Sequence, residues 1–305
     1  MAVRSAALTG RRTGKRRIVT TAIEHPAVLG SCRFLEQFGF EVSYLGADQK
    51  GYVSVAQAEQ LITDDTALVS VMTANNEVGT IQPVEQIAAI CRRRGVPFHT
   101  DAVQAAGALP IDVGSMGCDM LSLSAHKFGG IKGAGLLYCR SGCELSPLIY
   151  GGGQENGMRS GTENTAAIAA MGAAIEYSCR DIAGKAANIT RLRDRLISLL
   201  LSIPGSRLNG GMERLCGNVN VSFSGVEGEA LVLGLDLRGV CASSGSACAS
   251  SGGKPSHVLK AMSVPEEMLR GSLRLTLSEH NTAEEIEQAA AAVRETVQLL
   301  REIRR

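Results

Sequence analysis

Short β-branched runs alternate with longer amphipathic segments through the first half of this 305-residue chain. Ile18 to Thr21, Glu41 to Leu45, Ala67 to Met72 and Val96 to Thr100 have strand composition, and the segments near Ala27 to Phe38, Val55 to Ile62 and Val84 to Arg94 have helical spacing. That alternation is the mark of a mostly parallel sheet covered by helices. Such sheets hold ligands beyond the carboxyl ends of their strands, and Asn76, Asp101 and Lys127 all follow apolar, strand-like runs.

After the glycine-rich stretch from Gly151 to Gly161 the pattern changes. A helix from about Glu163 to Ser178 leads into an amphipathic one, Ala186 to Leu201, with Leu192, Leu196 and Leu199 on one side. Beyond Pro204, Asn218 to Phe223, Val240 to Ala242 and Leu273 to Thr276 read as strands, and Glu227 to Leu237 and Ala283 to Ile303 as helices. The expected organisation is α/β, with a large domain over 1–183 and a smaller α+β domain over 184–305.

Composition narrows the function classes. A net charge of +1 gives no reason to expect a nucleic-acid partner, and the basic residues Arg4, Arg11, Arg12, Lys15, Arg16 and Arg17 read as a solvated turn. No apolar run reaches the length of a membrane span, since Leu199 to Leu201 is closed off by Ser202 and Pro204. The nine cysteines are odd in number and lack paired C-x-x-C spacing. Cys139 and Cys143, the nearest thing to a metal clip, flank Arg140-Ser141-Gly142 with no histidine partner nearby, so no metal site is expected. Free thiols in a reducing compartment, hence a soluble cytoplasmic protein, are the expectation.

Two constellations carry chemistry. Ser124-Ala125-His126-Lys127, with Asp101 and Gln104 upstream in His99-Thr100-Asp101-Ala102-Val103-Gln104, supplies an amine able to form a Schiff base and an acid for a pyridinium nitrogen. Short polar groups beside the lysine suit a phosphate, and the set as a whole suits pyridoxal phosphate. The second, Ser243 to Gly253, places Cys248 in a segment too small and polar to be a core strand. Gly245, Gly252 and Gly253 give that segment conformational freedom.

The chain closely resembles the cysteine desulfurases of the NifS/IscS type, in the class V aminotransferase group of the aspartate-aminotransferase fold. The matching blocks are Ile23-Glu24-His25-Pro26-Ala27-Val28, Asn75-Asn76-Glu77-Val78-Gly79, the Asp101 and Lys127 blocks, Gly151 to Thr162, the Cys248 segment and Ser272-Leu273-Arg274-Leu275. The resemblance implies the following roles. Lys127 is the Schiff-base lysine, Asp101 the partner of the pyridine nitrogen, and Gln104 a donor to the phenolic oxygen, with Asn76 near that oxygen and the substrate carboxylate. Ser124 and His126 are phosphate ligands, joined by a Thr162 that the other subunit of a homodimer lends. His25 stacks on the ring and moves protons, Arg274 grips the substrate carboxylate, and Cys248 takes sulfur from L-cysteine as a persulfide, leaving alanine. A sulfur acceptor or iron–sulfur scaffold protein is the implied partner. His99, His257 and His280 are expected to be structural.

Family members also carry a Gly-Thr-Glu-rich phosphate turn ahead of a helix whose later part Met1 to Leu8 resembles. On that comparison the chain reads as N-terminally shortened, with weakened cofactor binding: a gene fragment, half of a split enzyme, or a remnant that only binds sulfur acceptors. A pyridoxal lyase acting on selenocysteine is the alternative enzyme.

Overall fold

The structure, a computed structural model, describes residues 1–245 and 255–304 and divides into two compact units. The first comprises 1–46, 53–74 and 82–182. Its sheet contains β1 (Arg17–Thr21), β2 (Glu41–Leu45), β3 (Thr66–Ser70), β4 (Phe98–Asp101), β5 (Met120–Ser124) and β6 (Gly135–Cys139), in the spatial order β2-β1-β3-β4-β5-β6. The first five are parallel, and β6 runs antiparallel against β5. The alternating pattern of the sequence is thus a parallel sheet. Strands β5 and β6 are not among the strand ranges expected from the sequence; edge strand β6 carries the apolar run Leu136-Leu137-Tyr138 yet is half-buried to exposed.

Helices α1 (Ala2–Arg11), α2 (Pro26–Glu36), α3 (Val55–Leu61), α4 (Val84–Arg93), α5 (Val113–Met116) and α6 (Thr165–Ser178) accompany this sheet. Small side chains let α1 lie close to it: Ala2, Ala6 and Ala7 are buried with Ile18, Leu68 and Met120. At Gly10 a Cβ would fall 2.6 Å from that of Ala67, so only glycine fits there. Val28, Cys32 and Leu35 line the buried side of α2 in the same cluster. Each fully buried aliphatic side chain of this kind contributes roughly 1.5–3 kcal/mol.

The second unit comprises 47–52, 75–81 and 183–305. Helix α7 (Ile182–Leu201) leads into an antiparallel sheet of β7 (Ser206–Leu208), β8 (Asn218–Phe223) and β9 (Ser272–Thr276), ordered β7-β8-β9. Helices α8 (Gly228–Asp236), α9 (His257–Ala261), α10 (Glu266–Leu269) and α11 (Ala283–Ile303) complete it. Leu192, Leu196 and Leu200 of α7, Val219, Val221 and Phe223 of β8, Leu273 of β9 and Val293 and Val297 of α11 form one core, with Leu199 only partly buried against it. Thr282 and Glu285 close a capping box at the start of α11.

Val240 to Ala242, expected to be a strand, is not one. Pairing there is confined to a single bridge one residue later, in which Ser243 N donates to Arg274 O at 3.1 Å and Arg274 N to Ser243 O at 2.7 Å. Val240 N is instead taken by Leu235 O at the end of α8, at 3.0 Å.

Candidate active site

Residues that follow parallel strands share an edge of the sheet, and in the first unit that edge gathers the predicted cofactor residues. Asp101 ends β4 and pairs in register with Ser122 of the adjacent β5, which ends at Ser124. A 3-10 turn, Ala125 to Lys127, follows directly. Its hydrophobic ends fix it: Ala125 and Phe128 are buried with Ala106 and Met171, leaving His126 and Lys127 exposed between them. Gly130 N donates back to Ala125 O at 2.9 Å, and a Cβ on Gly130 would sit 2.9 Å from that same oxygen. The glycine therefore tightens the return that presents Lys127.

Asp101 is held from both directions. Its main-chain oxygen accepts from Thr73 N at 2.9 Å, and its Oδ1 accepts from Val103 N at 3.0 Å in an Asx turn. Burial raises its pKa above the ordinary carboxylate value, and the hydrogen bond from Val103 and the charge of His25 lower it in part. His25 thus lies within electrostatic reach of Asp101. It caps α2 by accepting Ala27 N at 3.2 Å on Nδ1, with Pro26 at the first helical position. Accepting on Nδ1 leaves Nε2 as the protonated nitrogen of the neutral ring.

Gln104 is half-buried in the turn after Asp101, and Ser124 is half-buried at the end of β5. Thr162 is exposed.

Asn76 and Arg274 belong to the second unit. Arg274, in the middle of β9, is half-buried and donates from a guanidinium nitrogen to Asn76 O at 2.8 Å, so it is not the freely solvated strand residue its neighbours suggest. The bridge to Ser243 joins the same strand position to the segment leading toward Cys248. On the far side of that segment, Ser256 caps α9 through Val258 N and Leu259 N and donates to Glu77 Oε2. Glu77 O in turn accepts from the side chains of Asn218 at 3.1 Å and Asn220 at 3.0 Å. Cys248 itself lies outside the described residues, as do Gly252 and Gly253.

The sequence reading missed the group beside His25. Glu24 is fully buried, and its Oε1 accepts from Thr21 Oγ1 at 2.9 Å and from Met72 N at 2.8 Å. Burial, reinforced by the nearby charge of Asp101, raises its carboxyl to about 8, so it is largely protonated at neutral pH. The only signal in the sequence is a carboxylate just after β1, between Ile23 and His25. His99 is buried and structural, with Nδ1 at 2.8 Å from Ser70 Oγ and Nε2 at 2.8 Å from Ser122 Oγ. Burial lowers its pKa to about 3.

A lysine presented after β5, a half-buried carboxylate ending the neighbouring β4 and an imidazole close to that carboxylate are an arrangement suited to a cofactor-dependent α/β enzyme. Residues 1–289 match the family Aminotransferase class-V, and the chain belongs to that family. A protein named cysteine desulfurase IscS from Methanosarcina thermophila is 49% identical over 301 residues, covering 98% of this chain and 74% of the relative. A cysteine desulfurase from a Nostoc species is 44% identical, covering 98% of this chain and 75% of the relative. Among solved structures, a NifS-like protein superposes with a TM-score of 0.90 at 37% identity, covering 98% of this chain and 79% of its own. A NifS-like protein from Rickettsia africae gives 0.84 at 31% identity, with coverages of 96% and 80%. The fold is therefore that of the aspartate-aminotransferase-like pyridoxal enzymes.

Proposed function

We propose that this protein is a cysteine desulfurase, taking sulfur from L-cysteine onto Cys248 and releasing L-alanine. The observation that carries the reading is the pairing of β4 with β5, which sets the half-buried Asp101 beside the strand that presents Lys127, in a chain 49% identical to a cysteine desulfurase.

The residues fit pyridoxal phosphate. Asp101 is a half-buried carboxylate whose charge burial disfavours and the hydrogen bond from Val103 favours, and a protonated ring nitrogen is the partner that would offset the burial. When bound, the cofactor supplies an electron-accepting ring. Lys127 would hold it through the side-chain amine and move a proton at the substrate Cα. Gln104 would donate to its phenolic oxygen, while Ser124, His126 and a Thr162 from a second subunit would hold its phosphate. His25 would cover the ring face and relay protons through Nε2.

In the second unit, Arg274 and Asn76 would receive the substrate carboxylate, a role suited to the planar guanidinium fork. The Cys248 thiolate attacks the sulfur of bound L-cysteine: an S–S bond forms, the C–S bond breaks, and its electron pair returns to the carbon that becomes the methyl of alanine. The persulfide then passes to an acceptor protein or iron–sulfur scaffold. We place the enzyme in the cytoplasm as a homodimer. The cysteines described are all free thiols, and among the described residues no helix is long and apolar enough to cross a membrane. The exposure of Thr162 suits a contribution to a second subunit.

The test is release of alanine and sulfide from L-cysteine by the cofactor-loaded protein, with and without a thiol acceptor. Borohydride reduction followed by peptide mapping should fix the cofactor on Lys127, and attachment at Lys132 or Lys254 would overturn that assignment. Cys248→Ala should lose sulfide release and keep the visible absorbance of the bound cofactor. Full turnover by Cys248→Ala would place the nucleophile elsewhere.

A further inference from the structure

Away from these residues, at the opposite end of β5 and β6, two thiols meet. Cys139 is the last residue of β6 and Cys143 follows a reverse turn closed by Cys143 N donating to Arg140 O at 3.0 Å. Gly142, with φ of 83°, supplies the left-handed conformation the turn needs. Arg140 stiffens the turn from outside, its N donating to Asp119 O at 2.8 Å and its Nε to Asp119 Oδ1 at 2.8 Å. The reversal folds the Cys139 side chain back onto Cys143: its Sγ donates to Cys143 O at 3.4 Å. Cys143 also borders a cavity of about 740 Å³ that includes Lys15, Arg92, Tyr138 and Glu144.

We propose that Cys139 and Cys143 form a redox-responsive dithiol that closes to an intramolecular disulfide when it meets a small-molecule disulfide. The exposed Cys139 is the attacking group: its thiolate bonds to one sulfur of the incoming disulfide, whose S–S bond breaks and whose other half leaves as a thiol. Cys143 then attacks Cys139 Sγ, forming the internal disulfide and expelling the second half. Two protein thiols are oxidised and one disulfide is reduced to two thiols, with the protein protons carried to the leaving groups.

The pair has an order of events built in. Burial first, and then the adjacent Cys139, push the Cys143 thiol up to about 12, which keeps it from reacting first. Once Cys139 is in a mixed disulfide it no longer ionises or hydrogen-bonds as a thiol, so part of what suppresses Cys143 is removed. Its raised pKa still slows the second step, and that step gains from proximity instead.

Trypsin reads the result directly, because Arg140 lies between the two cysteines. Cleavage after Lys132, Arg140 and Arg159 separates the peptide 133–140 from 141–159 unless a disulfide joins them. The full chain, equilibrated with glutathione and oxidised glutathione, trapped with acid and alkylated, should yield the joined pair, which reduction splits. The effective concentration of one thiol at the other should exceed that in the urea-unfolded chain by about tenfold or more. Cys139→Ser should block the joined pair and leave Cys143 unmodified under the same conditions. The proposal is overturned if both cysteines remain alkylated across the redox range, if Cys139 stops at the glutathione adduct, if either pairs instead with Cys179 or Cys241, or if folding gives no gain over the unfolded chain.

Discussion

A buried carboxyl that stays protonated ties the stability of this protein to pH in a direction opposite to that of a salt-bridged acid. Glu24 has its pKa raised from an ordinary 4.5 to about 8. Below pH 4.5 the folded and unfolded chains both hold its proton, and the folded state incurs no penalty. Between 4.5 and 8 only the folded chain holds it, so stability falls as pH rises, and above about 8 the loss is complete. At about 1.4 kcal/mol per pH unit the whole shift sets a ceiling of roughly 5 kcal/mol, which relaxation around the site would reduce. Glu24→Gln is a neutral near-isostere whose amide oxygen can still accept from Thr21 and Met72, so it removes the titration while keeping those hydrogen bonds. Urea unfolding of the cofactor-free wild type and variant at pH 5, 6, 7 and 8, in buffers without phosphate, isolates the term because other titrating groups are common to both. The variant should gain on the wild type steadily with pH, by roughly 2–3.5 kcal/mol over the series. Stability curves that stay parallel from pH 5 to 8 would show that Glu24 is ionised in the folded state and refute the argument.

Two further outcomes follow from local structure. His99, lowered to about 3 from an ordinary 6.5, contributes stability that is present above pH 6.5 and lost as pH falls toward 3, because in that interval only the unfolded chain takes up the proton; its ring resonances in a histidine NMR titration should remain those of neutral imidazole at pH 5, and a shift centred near 6.5 would contradict the burial argument. A Cβ on Gly271 would lie 2.0 Å from Phe223 O, so Gly271→Ala must part β8 from the start of β9, and a loss of roughly 1–3 kcal/mol in urea unfolding is expected, whereas an unchanged midpoint would mean that the backbone yields freely there.

The parallel sheet was legible because its central strands carry apolar runs long enough to be buried on both faces; β3 is buried at every position. From the order of those strands, the placement of Asp101 and Lys127 at one edge follows as topology, with no need for side-chain detail. The small domain was less legible. Val240 to Ala242 has strand composition, but its start is tied to the end of α8 by Val240 N donating to Leu235 O, which β-propensity does not encode. Arg274 could be assigned a substrate role only by resemblance, since the contact that removes it from free solvent comes from Asn76, far away in sequence.

What composition concealed most completely is charge state. The sequence gives Glu24 and Asp101 the same formal charge, yet their surroundings assign them different tasks. Glu24 has its accepting oxygen occupied by Thr21 and Met72 in a fully buried pocket at the ends of β1 and β3, which favours a neutral acid that joins those strands. Burial disfavours the charge of Asp101 too, but the hydrogen bond from Val103 and the nearby His25 oppose that in part and favour the ionised form that a pyridinium requires. Were both acids charged, each would raise the cost of ionising the other, and Asp101 would become a poorer anchor. A protonated Glu24 therefore keeps Asp101 available as the one negative charge of this pair. Accordingly, Glu24→Gln should preserve the affinity of the apoprotein for pyridoxal phosphate at neutral pH, while in the wild type that affinity should weaken on approaching pH 8 less steeply than the stability does, because ionising Glu24 opposes folding directly and touches the ring site only through Asp101. An absorbance titration of cofactor at pH 6.5 and 8.5 on both proteins decides it: a large loss of affinity in Glu24→Gln at the lower pH would mean that Glu24 acts on the cofactor as an anion, and the division between the two acids would be wrong.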